Sequence, residues 1–193
     1  PLPSSINENV VTKAIVAEKD VDGFGIDNIG NISSRQGTPL FYPCTPKGII
    51  HMLKVSGVEL AGKIAVVLGR SDIVGSPVAS LLRRENATVI QCHSHTPNLP
   101  ELVKLGDIVV AAIGQPEFIK GDWIKPGAVV IDVGTNFIDD SSKPKGFRMA
   151  GDVDFEAAKN VASQITPVPG GVGPMTVAML LSNVYVAAKR ALD

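Results

Sequence analysis

Several things are scarce in this sequence, and each scarcity narrows its function. Aromatic residues make up 5% of 193 positions while 45% are hydrophobic. The expected core is therefore mostly aliphatic, as in parallel sheets buried on both faces. Net charge is -1, with Lys and Arg scattered rather than blocked, so no nucleic-acid surface is expected. Only two cysteines occur, Cys44 and Cys92, without metal-ligand spacing. They read as reduced thiols, and no metal site is expected. No apolar run reaches membrane-spanning length and no signal peptide is visible, so no membrane partner is expected. Internal repeats and low-complexity tracts are absent. So is an initiating Met: the chain opens Pro1-Leu2-Pro3, as if cut from a longer protein.

What is present reads as alternating elements. Residues 4–17 place Ile6, Val10, Val11, Ala14 and Ile15 on one helical face, with Ser4 or Ser5 as cap. A polar, glycine-rich stretch from Asp20 to Pro43 reads as a loop or hinge. Thr45-Pro46 predicts a helix start, hydroxyl cap then proline, with Ile49, Ile50 and Leu53 facing the core and Gly57 ending it. From Lys63 the pattern changes. Ile64–Leu68, 87–92, 107–112 and 128–133 predict strands, and 74–85, 99–105 and 155–162 predict helices. A short strand at 164–166 and a long helix over 174–192 follow, and 139–146 reads as a polar surface hairpin or loop. The fold class is α/β, a Rossmann-like parallel sheet with helices on both faces.

Residues 69–77 read Gly-Arg-Ser-Asp-Ile-Val-Gly-Ser-Pro, directly after the Ile64–Leu68 run. Strand, tight turn and helix start make an anion cradle, where backbone N–H groups and the helix dipole favour phosphate. Gly69 allows the turn, Ser71 can donate its hydroxyl, and Gly75 lets helix and strand pack closely. The glycines stand further apart than in the usual dinucleotide fingerprint, and Ser71 replaces its middle glycine. A tight turn without a ligand would use the same residues.

The second strand sharpens the reading. An NAD site usually ends that strand in Asp or Glu, for the ribose hydroxyls. Here it ends Gln91-Cys92-His93-Ser94. Arg70 in the cradle and Ser94 suit a 2′-phosphate instead, through charge-assisted bonds. NADP is thus favoured over NAD, with Arg70 as a solvated cation and Ser94 and His93 as ordinary surface residues the competing readings. Gly114 and Gly134-Thr135-Asn136 lie at further strand ends, where Thr135 could reach the nicotinamide ribose or amide.

Pro167-Val168-Pro169-Gly170-Gly171-Val172-Gly173-Pro174-Met175-Thr176 is the second unusual stretch. Its prolines fix the backbone and its glycines bare it, offering rigid donors and acceptors to a flat ligand. A stiffened loop before a helix is the plain alternative. Asp20-Val21-Asp22-Gly23 puts two carboxylates before a turn, on one side if the run is extended, with too few ligands for a calcium loop.

Together these motifs resemble the methylenetetrahydrofolate dehydrogenase/cyclohydrolase family. Its carriers are Asp20–Gly23, Pro43–Gly48, Gly69–Pro77, Gly121–Ala128, Val130–Gly134, Gly151–Val153 and Pro167–Thr176, in order along essentially the whole chain. The resemblance implies hydride transfer from methylene-tetrahydrofolate to NADP, then hydrolysis of the methenyl product to 10-formyl-tetrahydrofolate. Positioning serves the first step, and proton management the second. It implies that Asp22 is the pterin-binding aspartate, accepting two bonds from a pterin N–H and amino group. It places Pro169, Gly170, Gly171, Val172 and Gly173 beside the folate substrate. Cofactor contacts fall to Gly69, Arg70, Ser71, Ser94 and Thr135.

The family's catalytic Tyr-x-x-x-Lys helix precedes a Gln-Leu-Pro-Leu segment, whose tail matches Pro1-Leu2-Pro3. The expectation is that the amino-terminal half of a smaller α/β folate lobe is missing, and no catalytic residue is assigned. Tyr185 and Lys189 fit the spacing, but out of motif order. The expected layout is a folate-lobe remainder at 1–45, an NADP lobe at 46–173, and a terminal helix at 174–193 packing back between the lobes. A homodimer, a cytoplasmic location and a following formyltetrahydrofolate synthetase, as in eukaryotic trifunctional chains, are further implications. A non-catalytic NADP-binding module and another two-lobed dehydrogenase, of amino-acid or shikimate type, are the competing readings.

Overall fold

A computed structural model describes residue 3 and residues 6–192. The expected cap at Ser4 or Ser5 and the Pro1-Leu2 match lie outside the described residues. The apolar runs form strands β1 (Ile64–Leu68), β2 (Thr88–Cys92), β3 (Ile108–Ala111) and β4 (Val129–Asp132). β5 (Asn136–Asp139) and β6 (Phe147–Ala150) pair as an antiparallel hairpin, and β7 (Gln164–Ile165) is short. The main sheet is parallel throughout, in the order β2-β1-β3-β4-β7. The strand order reverses between β1 and β3, which opens a crevice at their carboxyl ends.

Strand alternation sends side chains to two cores. Ala65, Val67, Ile108, Val110 and Ile131 face one cluster, together with Ile49 and Leu53 of α3 (Cys44–Val55) and Val78 and Leu82 of α4 (Gly75–Arg84). Val66, Leu68, Val109, Ala111 and Val130 face the other. That side is covered by Val103 of α5 (Leu99–Val103) and Ala158 of α6 (Phe155–Ala158). Helices cover both faces, as expected. The polar 139–146 stretch connects the β5–β6 hairpin.

Four expectations are corrected. The amino-terminal helix is only Glu8–Lys13 (α1), with Ile6, Val10, Val11 and Ile15 all exposed. Its apolar face has no core to bury against among the described residues, and so short a helix gains little from propensity alone. The stretch read as a loop contains a helix, α2 (Ile26–Ser33), which buries Asn28 and Ile32. Its support is tertiary: Arg84 of α4 donates to the carbonyls of Asn31, Ser34 and Gly37 at 3.3, 2.7 and 3.0 Å. α3 begins at Cys44 behind Pro43, so Thr45 is no cap. Its hydroxyl lies 3.0 Å from that of Thr176 instead, and Pro46 sits in the first turn, where a missing N–H is harmless.

Asp20 and Asp22 do not share a side. A 3-10 turn at Ala17–Lys19 and a bond from Gly23 N–H to the Asp20 carbonyl fold the run back. Asp20 is buried and accepts from the N–H groups of Phe24 and Gly25 and from Asn28 Nδ2. Asp22 is exposed.

The terminal helix α7 (Val172–Arg190) packs on α3. A Cβ on Gly48 would lie 2.9 Å from the Met175 side chain, so glycine lets the two helices approach.

Candidate functional site

The cradle follows β1. Gly69 has φ +120°, and a Cβ there would lie 2.2 Å from the Ala112 carbonyl oxygen. A Cβ on Gly75 would meet Gly69 at 2.5 Å. Only glycine fits at either position. Ser71 Oγ accepts from the N–H groups of Val74 and Gly75 at 3.2 and 3.3 Å. Its own hydroxyl hydrogen is left to donate outward. Ser76 Oγ bonds the Arg70 carbonyl at 3.2 Å, which ties the turn to the start of α4.

Register sets the 2′-phosphate candidates on neighbouring strand ends. Leu68 pairs with Cys92, and Gly69 N–H donates to the Cys92 carbonyl at 2.9 Å. Gln91 Nε2 closes the same gap by donating to the Gly69 carbonyl at 3.1 Å. Arg70 and Ser94 therefore leave neighbouring strand ends two residues past a paired position. Both are exposed, and neither side chain has a partner among the described residues. His93 Nδ1 accepts from the His95 N–H at 3.2 Å, so its ring is engaged in its own turn.

The ends of β3 and β4 are built on two buried acids that sequence reasoning gave no role. Asp132 ends β4 and accepts from the N–H groups of Gly134, Asp152 and Val153, each at 2.9 Å. Burial pushes its carboxyl up to about 6 against the pull of those three bonds, and the Asp152 charge adds to the rise. Asp152 accepts from Ile113, Gly114 and Gln115 N–H and from Asn136 Nδ2. The available signal was an apolar strand ending in Asp and a second Asp after Gly151. Thr135, between these loops, is exposed.

A second group gathers around α3 and α7. Asn183 is buried and donates to the carbonyls of Val21 and Tyr42 at 2.7 and 3.0 Å. Lys47 Nζ donates to Asn183 Oδ1 at 2.8 Å and to Ser182 Oγ at 3.0 Å. The Asp22 turn is thereby stapled to the middle of α7. Burial pushes the Lys47 ammonium down and the Cys44 thiol up, the latter aided by the Asp22 charge. Neither Lys47 nor Asn183 was singled out from the sequence, because their partners are distant along the chain. Pro169, Gly170 and Gly173 are exposed before and at the start of α7, Gly171 is half-buried and Val172 is buried. A Cβ on Gly171 would strike the Pro167 carbonyl at 2.6 Å.

The family profile described as tetrahydrofolate dehydrogenase/cyclohydrolase, NAD(P)-binding domain, matches residues 43–192. The chain belongs to this family. A cytoplasmic C-1-tetrahydrofolate synthase of Schizosaccharomyces pombe is 58% identical over 190 residues, covering 98% of this chain and 20% of that protein. A mitochondrial C-1-tetrahydrofolate synthase of Saccharomyces cerevisiae is 57% identical, with the same coverage of both chains. The structure of Trypanosoma brucei methylenetetrahydrofolate dehydrogenase-cyclohydrolase, complexed with NADP and an inhibitor, is 48% identical at a TM-score of 0.95. It is matched over 100% of this chain and 65% of its own. The chain thus spans about a fifth of these curated relatives, which carry the names of two compartments.

Within the NAD(P)-binding domain the carboxyl edge is the expected cofactor crevice. The Tyr185–Lys189 pair lies on exposed faces of α7, with Tyr185 70% exposed. No helix is long and apolar enough to cross a membrane, and no His/Cys/Asp/Glu group could hold a metal, both among the described residues.

Proposed function

We propose that this chain binds NADP across the carboxyl ends of β2, β1, β3 and β4 and takes part in the oxidation of methylene-tetrahydrofolate. The paired exit of Arg70 and Ser94 carries the reading. An arginine and a hydroxyl leave neighbouring strand ends, unpartnered among the described residues, where an NAD site would hold a carboxylate. The cofactor would supply a hydride acceptor. Gly69 and Ser71 hold its phosphates with the α4 N-terminus, Arg70 and Ser94 its 2′-phosphate, and Thr135 the nicotinamide end.

Asp22 would orient the pterin through two hydrogen bonds, and the Pro169–Gly173 backbone would line the substrate. Asn183 lies eleven residues beyond Val172, roughly 16 Å along an ideal helix, so the Asp22 turn and the glycine segment frame an elongated ligand. Hydride transfer asks the protein mainly for orientation, and both groups sit on stapled backbone. Hydrolysis of the methenyl product needs a proton carrier. The exposed Tyr185–Lys189 pair is unsuited to that, so the chain by itself is expected to hydrolyse little methenyl-tetrahydrofolate. We infer the layout given above, with residues 1–45 as part of a folate lobe, 46–173 as the NADP lobe and 174–193 as the helix between them. The same resemblance supports an isologous homodimer through the NADP lobe.

The test is Arg70→Ala. It should weaken NADP by about 1.5–3 kcal/mol, the range for a charge-assisted bond, and leave NAD nearly unchanged. Equal weakening of both would discard the 2′-phosphate role. Titration with a folate analogue tests the other half: saturable binding strengthened by NADP is expected, and no binding would leave a nucleotide module alone.

A further inference from the structure

We propose that Asp152 is a positioning residue for the nicotinamide half of the cofactor, fixing the loops after β3 and β4 as one floor. The inference rests on the cofactor placement above.

Asp152 is 0% exposed. Its Oδ2 accepts from Ile113 N–H at 2.7 Å and Gly114 N–H at 3.0 Å. Its Oδ1 accepts from Gln115 N–H at 3.0 Å and Asn136 Nδ2 at 2.9 Å. Three of the donors belong to the loop after β3, and the fourth, Asn136, opens β5 directly after the loop that follows β4; none belongs to the main sheet below. The backbone N–H of Asp152 in turn donates to Asp132 Oδ1 at 2.9 Å, which anchors the latch to the end of β4. The approach is close: a Cβ on Gly134 would lie 2.3 Å from Asp152 Oδ1.

No cation bonds Asp152 among the described residues, so its charge is met by N–H dipoles alone. A buried ion is costly without such donors. Filling the same space with an apolar side chain would leave three adjacent N–H groups unsatisfied. The carboxylate does more than fill space, because it sets the direction of each peptide plane. In a trans peptide the carbonyl of the preceding residue points opposite to the N–H. With three N–H groups turned inward to Asp152, the carbonyls of Ala112, Ile113 and Gly114 turn away from it. The Ala112 oxygen lies against Gly69, at the end of β1. None of the three carbonyls accepts a hydrogen bond among the described residues. They form a row of acceptors suited to the hydroxyls of the nicotinamide ribose and a carboxamide N–H, groups that adenosine 2′,5′-bisphosphate, which keeps only the 3′-hydroxyl of its own ribose, lacks.

The experiment compares NADP with adenosine 2′,5′-bisphosphate, by calorimetry on the chain and two variants. Asp152→Asn keeps the volume but replaces an acceptor oxygen with an N–H₂ facing donors. It should weaken NADP roughly tenfold while the bisphosphate, held by the β1–β2 end, changes by less than about twofold. Asn136→Ala removes only the bond that links the two loops and should show the same selectivity at roughly threefold. It decides the matter should Asp152→Asn fail to fold. Parallel weakening of both ligands, or unchanged NADP binding in a folded variant, would overturn the proposal. A wild-type chain that binds neither ligand would remove the cofactor reading and this inference together. Wild-type binding of both ligands with unselective losses removes the inference alone.

Discussion

Between β1 and β2 the sheet edge ends in side chains with nothing to hold. Arg70 and Ser94 are exposed and unpartnered among the described residues, and the backbone beneath them is fixed by glycine packing. Between β3 and β4 the edge ends in two buried carboxylates, Asp132 and Asp152, which together take seven hydrogen bonds from surrounding loops. On the reading proposed above, the first end would recognise with an exposed charge, and the second with oriented backbone. A long cation waiting in water selects for an anion at a small cost in stability. Oriented amides select for neutral donors and acceptors and demand a rigid support, which here carries a buried negative charge. Function and stability should therefore separate at the β1–β2 end and stay coupled at the β3–β4 end.

The largest effect should come from a place where the two ends touch. Gly69 packs against the Ala112 carbonyl, at the exit of β3. Gly69→Ala adds a Cβ into that contact at a φ of +120°. Strain and overpacking together should cost about 4 kcal/mol, read as a shift in urea midpoint, with NADP binding lost as well. Gly62 is the control. Its φ is +75° and a Cβ there meets nothing within 4 Å, so Gly62→Ala should cost only about 1 kcal/mol. Comparable losses at the two positions would mean that backbone conformation alone, not the β1–β3 contact, sets the requirement for glycine.

The sequence is unevenly legible across this comparison, for physical reasons. Strands β1 to β4 are read from continuous apolar runs because both faces of a parallel sheet are buried. The cradle is read from glycine spacing because the chain conformation itself demands glycine. Arg70 and Ser94 are proposed because a missing acid at the end of β2 is a local signal. The β3–β4 support is not found that way. Asp132 looks like a polar stop after an apolar strand, and its partners Asp152 and Val153 lie some twenty residues on. α2 hides for the same reason: its carbonyls are met by Arg84, about fifty residues away. α1 errs in the opposite direction. Its apolar periodicity is real, but periodicity reports a face and not what covers it, and Val10 is 64% exposed.

The coupling at the β3–β4 end predicts a pH signature. The folded Asp132 carboxyl sits at about 6, above its ordinary 3.8. The folded state therefore holds this proton more tightly than the unfolded state. Unfolding free energy should fall as pH rises from near 4 to near 6, and level off above. The span corresponds to about 3 kcal/mol at ~1.4 kcal/mol per pKa unit. Asp107, held down by Lys125 and the Ile64 N–H, has the opposite sign. Its contribution is present above its ordinary value and lost only at more acid pH, so the two windows do not overlap. Urea titrations of wild type and Asp132→Asn at several pH values test this. The difference between the two curves should slope across that window, and parallel curves from pH 4 to 7 would remove Asp132 as its source.

The smallest effect belongs to Ser71, and it sharpens the contrast because this residue serves both purposes. Its Oγ accepts from the N–H groups of Val74 and Gly75 at 3.2 and 3.3 Å, a long, cap-like pair before α4. Removing a capping hydroxyl typically costs about 1 kcal/mol, and Ser71→Ala should lie near or below that because both bonds are long. The same hydroxyl has its hydrogen free for phosphate, so NADP should weaken by about another 1 kcal/mol. NAD should weaken equally, since the diphosphate bridge is common to both cofactors. That equality separates Ser71 from Arg70, whose loss should distinguish the two. Should Ser71→Ala weaken NADP alone, the hydroxyl would belong with the 2′-phosphate group, and the boundary between cradle and selectivity site would move one residue along the chain.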